Sequence, residues 1–413
     1  MQIYDRLYQS VYRVFHPINQ RARLKRALLK DLGRGRSGRI GRCLFSYVTD
    51  FIRHVSTSYS LDIWNHTDLS TLLENACIGK FVGHSNQWES SEVVRQLIER
   101  GFVVDCIYDR DGYLLQDVSS YDLIIDEWTN LPRWAELSPG ARKWFYAVTA
   151  HWQFWNSAEL QRLRWIFDRR NADLPPSRQM PALTGPGISD VTTYVGSDFI
   201  LNTFGKYRPS MQRLQVSSAT EVPFCKPKDW PRAKRRFLFF GSSGWVHRGL
   251  DLVLEAFLHP EMTECELFIC GSDREFLKVY GYELELNPNI KYLGFVYPKT
   301  REFDELMETT CAVVYPSAAE GCSTSIVQCM QYGLIPIVTQ AVGLDDQPGW
   351  PPLSGSSDTE LINQIIRRCK EISQMTEHTL EETSHLCWQY AKQNHSRKAY
   401  SHSLSLALDR LLS

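Results

Sequence analysis

The sequence predicts an α/β protein made of two doubly wound, Rossmann-like domains facing a cleft. Three observations carry this expectation. The chain has 413 residues, more than one hydrophobic core usually supports. Short apolar runs alternate with helical patterns in two separate series, which is the pattern of parallel sheets covered by helices. A stretch rich in Pro, Lys and Arg, residues 223–236, divides the series.

The chain opens on a basic segment. Residues 1–42 hold arginines and lysines from Arg6 to Arg42 against Asp5 and Asp31 alone. Apolar positions Ile3, Leu7, Val11, Val14 and Phe15, then Leu24, Leu28 and Leu29, fall near helical spacing, and Pro17 splits the pattern. Gly33 to Gly41 reads as a flexible basic linker. Two readings stand for this arm: peripheral contact with an anionic membrane surface, or a basic arm that is solvated or packed on its own domain.

Residues 43–222 form the first α/β series. Strands are expected at Leu44–Val48, Phe102–Tyr108, Tyr121–Asp126, Trp144–Thr149 and Val191–Val195. Helices are expected over 86–100, closed by Gly101, over Phe154–Arg170, and as a turn at Asp198–Phe204. The Pro-rich residues 175–187 make a long loop, and such loops often carry function. Residues 223–380 form the second series. Its strands are expected at Phe237–Phe240, Leu267–Cys270, Ile290–Phe295, Ala312–Tyr315 and Ile335–Thr339. Its helices are expected at Leu250–Phe257, Glu275–Tyr280, Glu302–Thr309 and Thr324–Tyr332. The last helices, 381–413, carry Leu404, Leu408, Leu411 and Leu412 and are placed to cross back to the first domain.

Composition narrows the function class. Hydrophobic residues make up 43% and charged residues 23%, and the formal net charge is −1, so no global field favours nucleic acid. The 11 cysteines include no Cys-x-x-Cys pair, which argues against a disulfide framework and a structural zinc site. No apolar run approaches the roughly 18 residues of a membrane span, and no signal-peptide pattern opens the chain. The expected setting is cytoplasmic, at most at the inner membrane face. No Gly-x-Gly-x-x-Gly opens a helix and no Walker-type Gly-Lys-Ser/Thr occurs, which disfavours a dinucleotide-dependent oxidoreductase and a P-loop enzyme.

The segment with most chemistry runs from Tyr315 to Val338. A strand ends at Tyr315, small residues follow, and a helix opens near Ser323 or Thr324. Free amides at a helix start suit a phosphate, and Glu320 stands just before them, where a carboxylate meets sugar hydroxyls. Gln328 lies one turn past Thr324, within reach of a ribose. This segment resembles the Glu-x7-Glu region of retaining GT-B glycosyltransferases of the large group 1, or family 4, type, through Pro316, Ser317, Glu320, Gly321, Met330, Gly333, Pro336 and Val338. Cys322 replaces the usual Phe, Ser323 the usual Gly, and Gln328 the second Glu.

A second match runs from Phe239 to Phe257 and resembles that family's Gly-Arg-x-x-x-x-Lys-Gly loop. Gly241, Ser242, Ser243 and Gly244 would form the turn, and Arg248 would replace the phosphate-binding Lys. The family's earlier Arg is absent, since Ser242 or Ser243 stands there, and His247 reads as an auxiliary contact or a turn residue. Gly271 matches a strand-end glycine that, by this resemblance, would lie near the bound nucleotide-sugar. Phe295 and Val296 either line the base pocket or pack the core. Two histidines are candidates in the first domain: His151 for the reacting sugar and His84 for the acceptor, each also readable as structural.

The resemblance implies a GT-B fold with a nucleotide-sugar domain at 223–380 and an acceptor domain at 43–222. It implies transfer from a nucleotide-diphosphate sugar to a glycan or lipid-linked acceptor with retention, in polysaccharide or cell-surface glycan synthesis. Glu320 and His151 would serve catalysis, with the Ser323 and Thr324 amides on the diphosphate. No metal and no cofactor beyond the donor is expected. The departures at Gln328 and in the Gly241 loop leave a second reading, a catalytically silent GT-B protein that binds or scaffolds.

Overall fold

The computed structural model describes residues 41–47, 85–108, 118–119, 121–271, 274–298, 300–347 and 349–413. His84 and the basic segment before residue 41 lie outside the described residues.

Among the described residues, the first sheet holds β1 (Arg42–Tyr47), β2 (Val103–Tyr108), β3 (Leu123–Asp126), β4 (Arg142–Ala147), β5 (Val191–Val195) and β6 (Met211–Leu214). All pair in parallel in the order β2-β1-β3-β4-β5-β6. The second sheet holds β7 (Arg236–Phe240), β8 (Glu266–Cys270), β9 (Ile290–Gly294), β10 (Ala312–Tyr315) and β11 (Ile335–Val338). It too is parallel, in the order β11-β10-β7-β8-β9. Residues of β10 and β11 are buried throughout, as expected of strands covered on both faces. Pro336 is tolerated because β11 is an edge strand. Strand order reverses between β7 and β10, and the crevice beyond such a point is where open α/β sheets take their ligands.

The helices are α1 (Ser85–Glu99), α2 (Leu131–Leu137), α3 (Trp152–Arg170), α4 (Asp198–Thr203), α5 (Trp230–Ala233), α6 (Leu250–Leu258), α7 (Leu277–Leu286), α8 (Arg301–Thr309), α9 (Thr324–Met330), α10 (Asp358–Gln374), α11 (Glu377–Asn394) and α12 (Arg397–Leu412). Among the elements that depart from the sequence expectation are α5 and α10, which it did not mark, α7, which starts later and runs on to Leu286, and β4, β6 and α2. β4 stops at Ala147 rather than Thr149, because Val148 to Ala150 turn toward the other domain and the Ala150 N–H donates to the Glu320 carbonyl at 2.9 Å. β6 and α2 carry no clear periodic signal; β6 is placed by its pairing with β5, and α2 starts with Pro132 in its first turn.

The two sheets are bound together on several sides. From α3, Arg169 reaches Asp251 and Asp358, each at 2.5 Å, and Arg170 reaches Glu255 at 2.6 Å and Glu283. Arg213 of β6 holds Asp345 in a fork at 3.0 and 2.8 Å. The final helix, α12, packs on the first domain: the Tyr146 and Tyr400 hydroxyls meet at 3.3 Å, and Arg100 pairs with Asp409 at 2.7 Å. α11 stays with the second domain, while its Trp388 indole N–H donates to the Val222 carbonyl at 3.0 Å.

Candidate functional site

The chain leaves β10 at Tyr315 and runs through Pro316–Ser323 into α9, and every residue of this loop is buried. A buried loop must satisfy its own backbone. Three side chains and one backbone carbonyl do so here. His247 donates from Nε2 to the Ala319 carbonyl at 2.8 Å, and the Ala318 N–H returns to the His247 carbonyl at 2.8 Å. Thr339 donates to the Ser317 carbonyl at 2.6 Å, and Arg162 to the Pro316 carbonyl at 2.8 Å. Burial pushes His247 down to about 4, so it is neutral at physiological pH, and its ring lies 4.6 Å from that of Trp155. His247 is therefore a buried bracket for the loop rather than a free turn residue.

Glu320 is the chemical centre. Its Oε1 accepts from Arg248 Nη1 at 3.2 Å, the Tyr315 hydroxyl at 3.0 Å and the Ser317 hydroxyl at 3.1 Å. Arg248 also donates to the Tyr315 hydroxyl, and its Nε donates to the Ser243 carbonyl at 2.9 Å. Burial pulls the Arg248 guanidinium below its ordinary range, while Glu320 pulls it back up and Arg178 adds to the lowering. All three bonds fall on Oε1, which leaves Oε2 for a ligand. Two glycines set how closely this loop meets the first domain. A Cβ on Gly321 would lie 2.3 Å from the Val148 carbonyl, and one on Gly196 would lie 2.3 Å from the Gly321 carbonyl.

The loop opens on a cleft of about 390 Å³ at the strand-order reversal. It brings together Gly241, Ser242, Arg248, Gly271, Phe295, Val296, Glu320, Gly321, Cys322, Ser323, Thr324 and Gln328. Ser243 and Gly244 sit in the same loop as Gly241 but do not line the cleft; Ser243 contributes its carbonyl to Arg248. Phe295 is exposed at the rim and Val296 is buried. Burial pushes the Cys322 thiol up to about 12, so it lines the cleft as an inert group.

Three expected contacts are placed differently. The Ser323 amide is occupied, donating to the Val342 carbonyl at 3.0 Å, because the turn after β11 folds behind the loop. The Thr324 and Ser325 amides are the ones α9 leaves unbonded among the described residues. Gln328 does not point its amide at a ligand: its Oε1 accepts the Thr220 N–H at 2.8 Å and its Nε2 donates to the Thr220 carbonyl at 3.2 Å. That two-way bond needs an amide, since a carboxylate offers no donor to the carbonyl. His151 is not brought to the cleft. It caps α3, accepting from the Gln153 N–H, and faces Trp152, Phe204 and Tyr207 in a small neighbouring pocket.

The sequence reading missed the cleft residues Trp155, Arg178 and Glu89, and Tyr315, which braces Glu320 from behind the cleft. Tyr315 was visible as a polar-tipped residue closing a buried strand. Arg178 lies in the Pro-rich loop already marked by its length. Glu89, on α1, accepts from the Ser217 N–H at 2.6 Å and hydroxyl at 2.9 Å, and burial pushes its carboxyl up to about 7.

With this geometry in place, the chain can be set beside known proteins. Its architecture is similar to that of HepE from Anabaena in complex with UDP-glucose, with a TM-score of 0.53 and 13% identity, over 89% of this chain and 99% of that one. The fold is GT-B. HepE with UDP and glucose gives a TM-score of 0.52 at 13% identity, over 90% of this chain and 99% of that one. The pneumococcal O-GlcNAc transferase GtfA, in complex with UDP and GlcNAc, gives 0.51 at 15% identity over 73% of this chain; the match spans 59% of GtfA's length. Residues 226–347 match the family model described as glycosyl transferases group 1. That match covers most of the second GT-B domain, including Arg248 and Glu320. No curated protein matches the chain in sequence. Among the described residues no helix is long and apolar enough to cross a membrane.

Proposed function

We propose that this protein transfers a sugar from a nucleotide-diphosphate donor to a glycan or lipid-linked acceptor, with retention at the anomeric carbon. The observation that carries the reading is the Glu320 carboxylate, braced on one oxygen by Arg248, Tyr315 and Ser317 and open on the other at the strand-order reversal. An oxygen fixed in this way binds sugar hydroxyls without reorganising, and Arg248 with the Thr324 and Ser325 amides faces the charge that grows on a leaving diphosphate. The UDP-glucose in the HepE complex makes UDP-sugars the first donors to test. Retention and a place in polysaccharide or cell-surface glycan synthesis rest on the sequence resemblance. Membrane contact through residues 1–42 rests instead on the basic charge and apolar spacing of that arm; binding to anionic liposomes that survives deletion of this segment would count against it.

The test is transfer or hydrolysis with a panel of nucleotide sugars, with product anomers read by NMR. The wild type is expected to turn over one donor, and Glu320→Ala and Arg248→Ala to lose that turnover. Unchanged turnover in both variants would remove the site assignment. One observation favours a second reading, a silent GT-B binding subunit: the Gln328 amide is committed to Thr220 instead of a ligand. Nucleotide binding without turnover of any donor would select it.

A further inference from the structure

We propose that Arg178 is a second diphosphate-binding cation, delivered across the cleft by the first domain, so that one diphosphate bridges both domains. The inference rests on the nucleotide-diphosphate reading above and names a residue for it.

The case begins with charge. Arg248 is already paired with Glu320 at 3.2 Å, so that pair is formally neutral. A diphosphate is multiply anionic, and Ser242 and Ser243 in the Gly241 loop bring no charge. Among the described residues lining the cleft, the remaining cation is Arg178.

Its setting is that of a residue held ready for an external partner. The Arg178 guanidinium meets no carboxylate and no acceptor among the described residues, and its Nε is buried without a partner. A buried, unpartnered donor on a cation is costly unless a ligand satisfies it. The side-chain stem lies on Gly244, where an added Cβ would come within 2.7 Å of Arg178 Cδ, and the guanidinium stands 5.4 Å from the Trp155 ring centroid. Stem and head are thus positioned beside the loop that presents Arg248.

The backbone carrying Arg178 is riveted to α3. The buried Glu159 carboxylate accepts the Ser177 and Arg178 N–H groups at 2.9 and 2.7 Å and the Gln179 side chain at 2.9 Å. The Trp155 indole N–H donates to the Arg178 carbonyl at 2.5 Å, and Asn156 accepts the Met180 N–H at 2.8 Å. A loop fixed by this set of hydrogen bonds, which nonetheless leaves its cation without a carboxylate or acceptor, is preorganised for a ligand. Arg178 also adds to the lowering that burial imposes on Arg248. An anion between the two relieves that repulsion, and because the cations belong to different domains it ties the domains together.

Calorimetry on the full chain tests this, with uridine, UMP, UDP, GDP and ADP as probes. Arg178→Met keeps the stem and removes the charge. It is expected to weaken binding of the preferred diphosphate by about ten- to hundred-fold while leaving its nucleoside nearly unaffected, with an unchanged melting temperature in the absence of ligand. Arg178→Lys is expected to recover part of the loss, since it restores the charge without the fork. If Arg178→Met binds the diphosphate as the wild type does while Arg248→Met does not, the assignment of Arg178 falls and the donor reading stands. If Arg178→Met loses nucleoside and diphosphate alike, or melts early, its role is structural and the proposal is overturned. If the wild type binds no nucleoside diphosphate, the donor reading itself falls, and this inference with it.

Discussion

The arginines that the first domain presents to the second are treated in opposite ways at the two ends of α3. At its C-terminal end, Arg169 and Arg170 meet Asp251, Glu255, Glu283 and Asp358, and the buried Asp251 has its charge matched in place. At its N-terminal end, the helix rivets the loop that holds Arg178 and offers that cation the Trp155 ring but no carboxylate or hydrogen-bond acceptor among the described residues. The first cluster holds the domains together without a ligand. The second leaves charge unspent at a cleft. Saturation by the protein's own carboxylates separates a structural cation from one kept for a ligand, and the sequence, which shows only Arg in each case, does not reveal which is which.

The comparison can be broken by experiment. Arg169→Ala should have the largest effect, about 3–5 kcal/mol lost in urea unfolding, because it strands the buried Asp251; a loss as small as that of Arg178→Met would erase the distinction. Glu320→Gln should lower kcat/KM by roughly 10²–10³ with little change in unfolding, since the acceptor on Oε1 is kept and the charge lost. Parallel loss of stability would make Glu320 structural too.

Glu89 offers a pH test within the cleft. It releases its proton near 7 in the folded state and near 4.5 in the unfolded chain. Between those values the folded state holds the extra proton, so stability declines as pH rises through the window. Glu89→Gln keeps the Ser217 acceptor and should be more stable than the wild type at pH 8, by about 3 kcal/mol, with the gap closing below pH 4.5. Gln328→Glu restores the more usual acid but faces the Thr220 carbonyl without a donor, so it should cost about 1–3 kcal/mol in unfolding. His151→Ala should change diphosphate affinity least, within about two-fold, because its ring lies in the neighbouring pocket.

Some of the site was legible in the linear chain because it is local. The strand ending at Tyr315, the small residues after it and the turn into α9 lie within a dozen positions, and their periodicity and glycines mark them. Glu320 and Arg248 stood out for the same reason. What Gln328 and the Ser323 amide do was hidden, because their partners, Thr220 and Val342, come from distant segments. His151 was attractive as a histidine after a strand, yet the strand ends earlier and the residue caps a helix.

The sequence by itself determined that two parallel α/β sheets would form and that a carboxylate and a guanidinium would sit at the strand ends of the second, because burial periodicity and loop chemistry are properties of neighbouring residues. Only the tertiary structure decided which charges are spent and which are free. Pairing Arg248 with Glu320, saturating Arg169 and leaving Arg178 open depend on groups tens to hundreds of positions apart, and the free energy of a charge is set by what surrounds it in space.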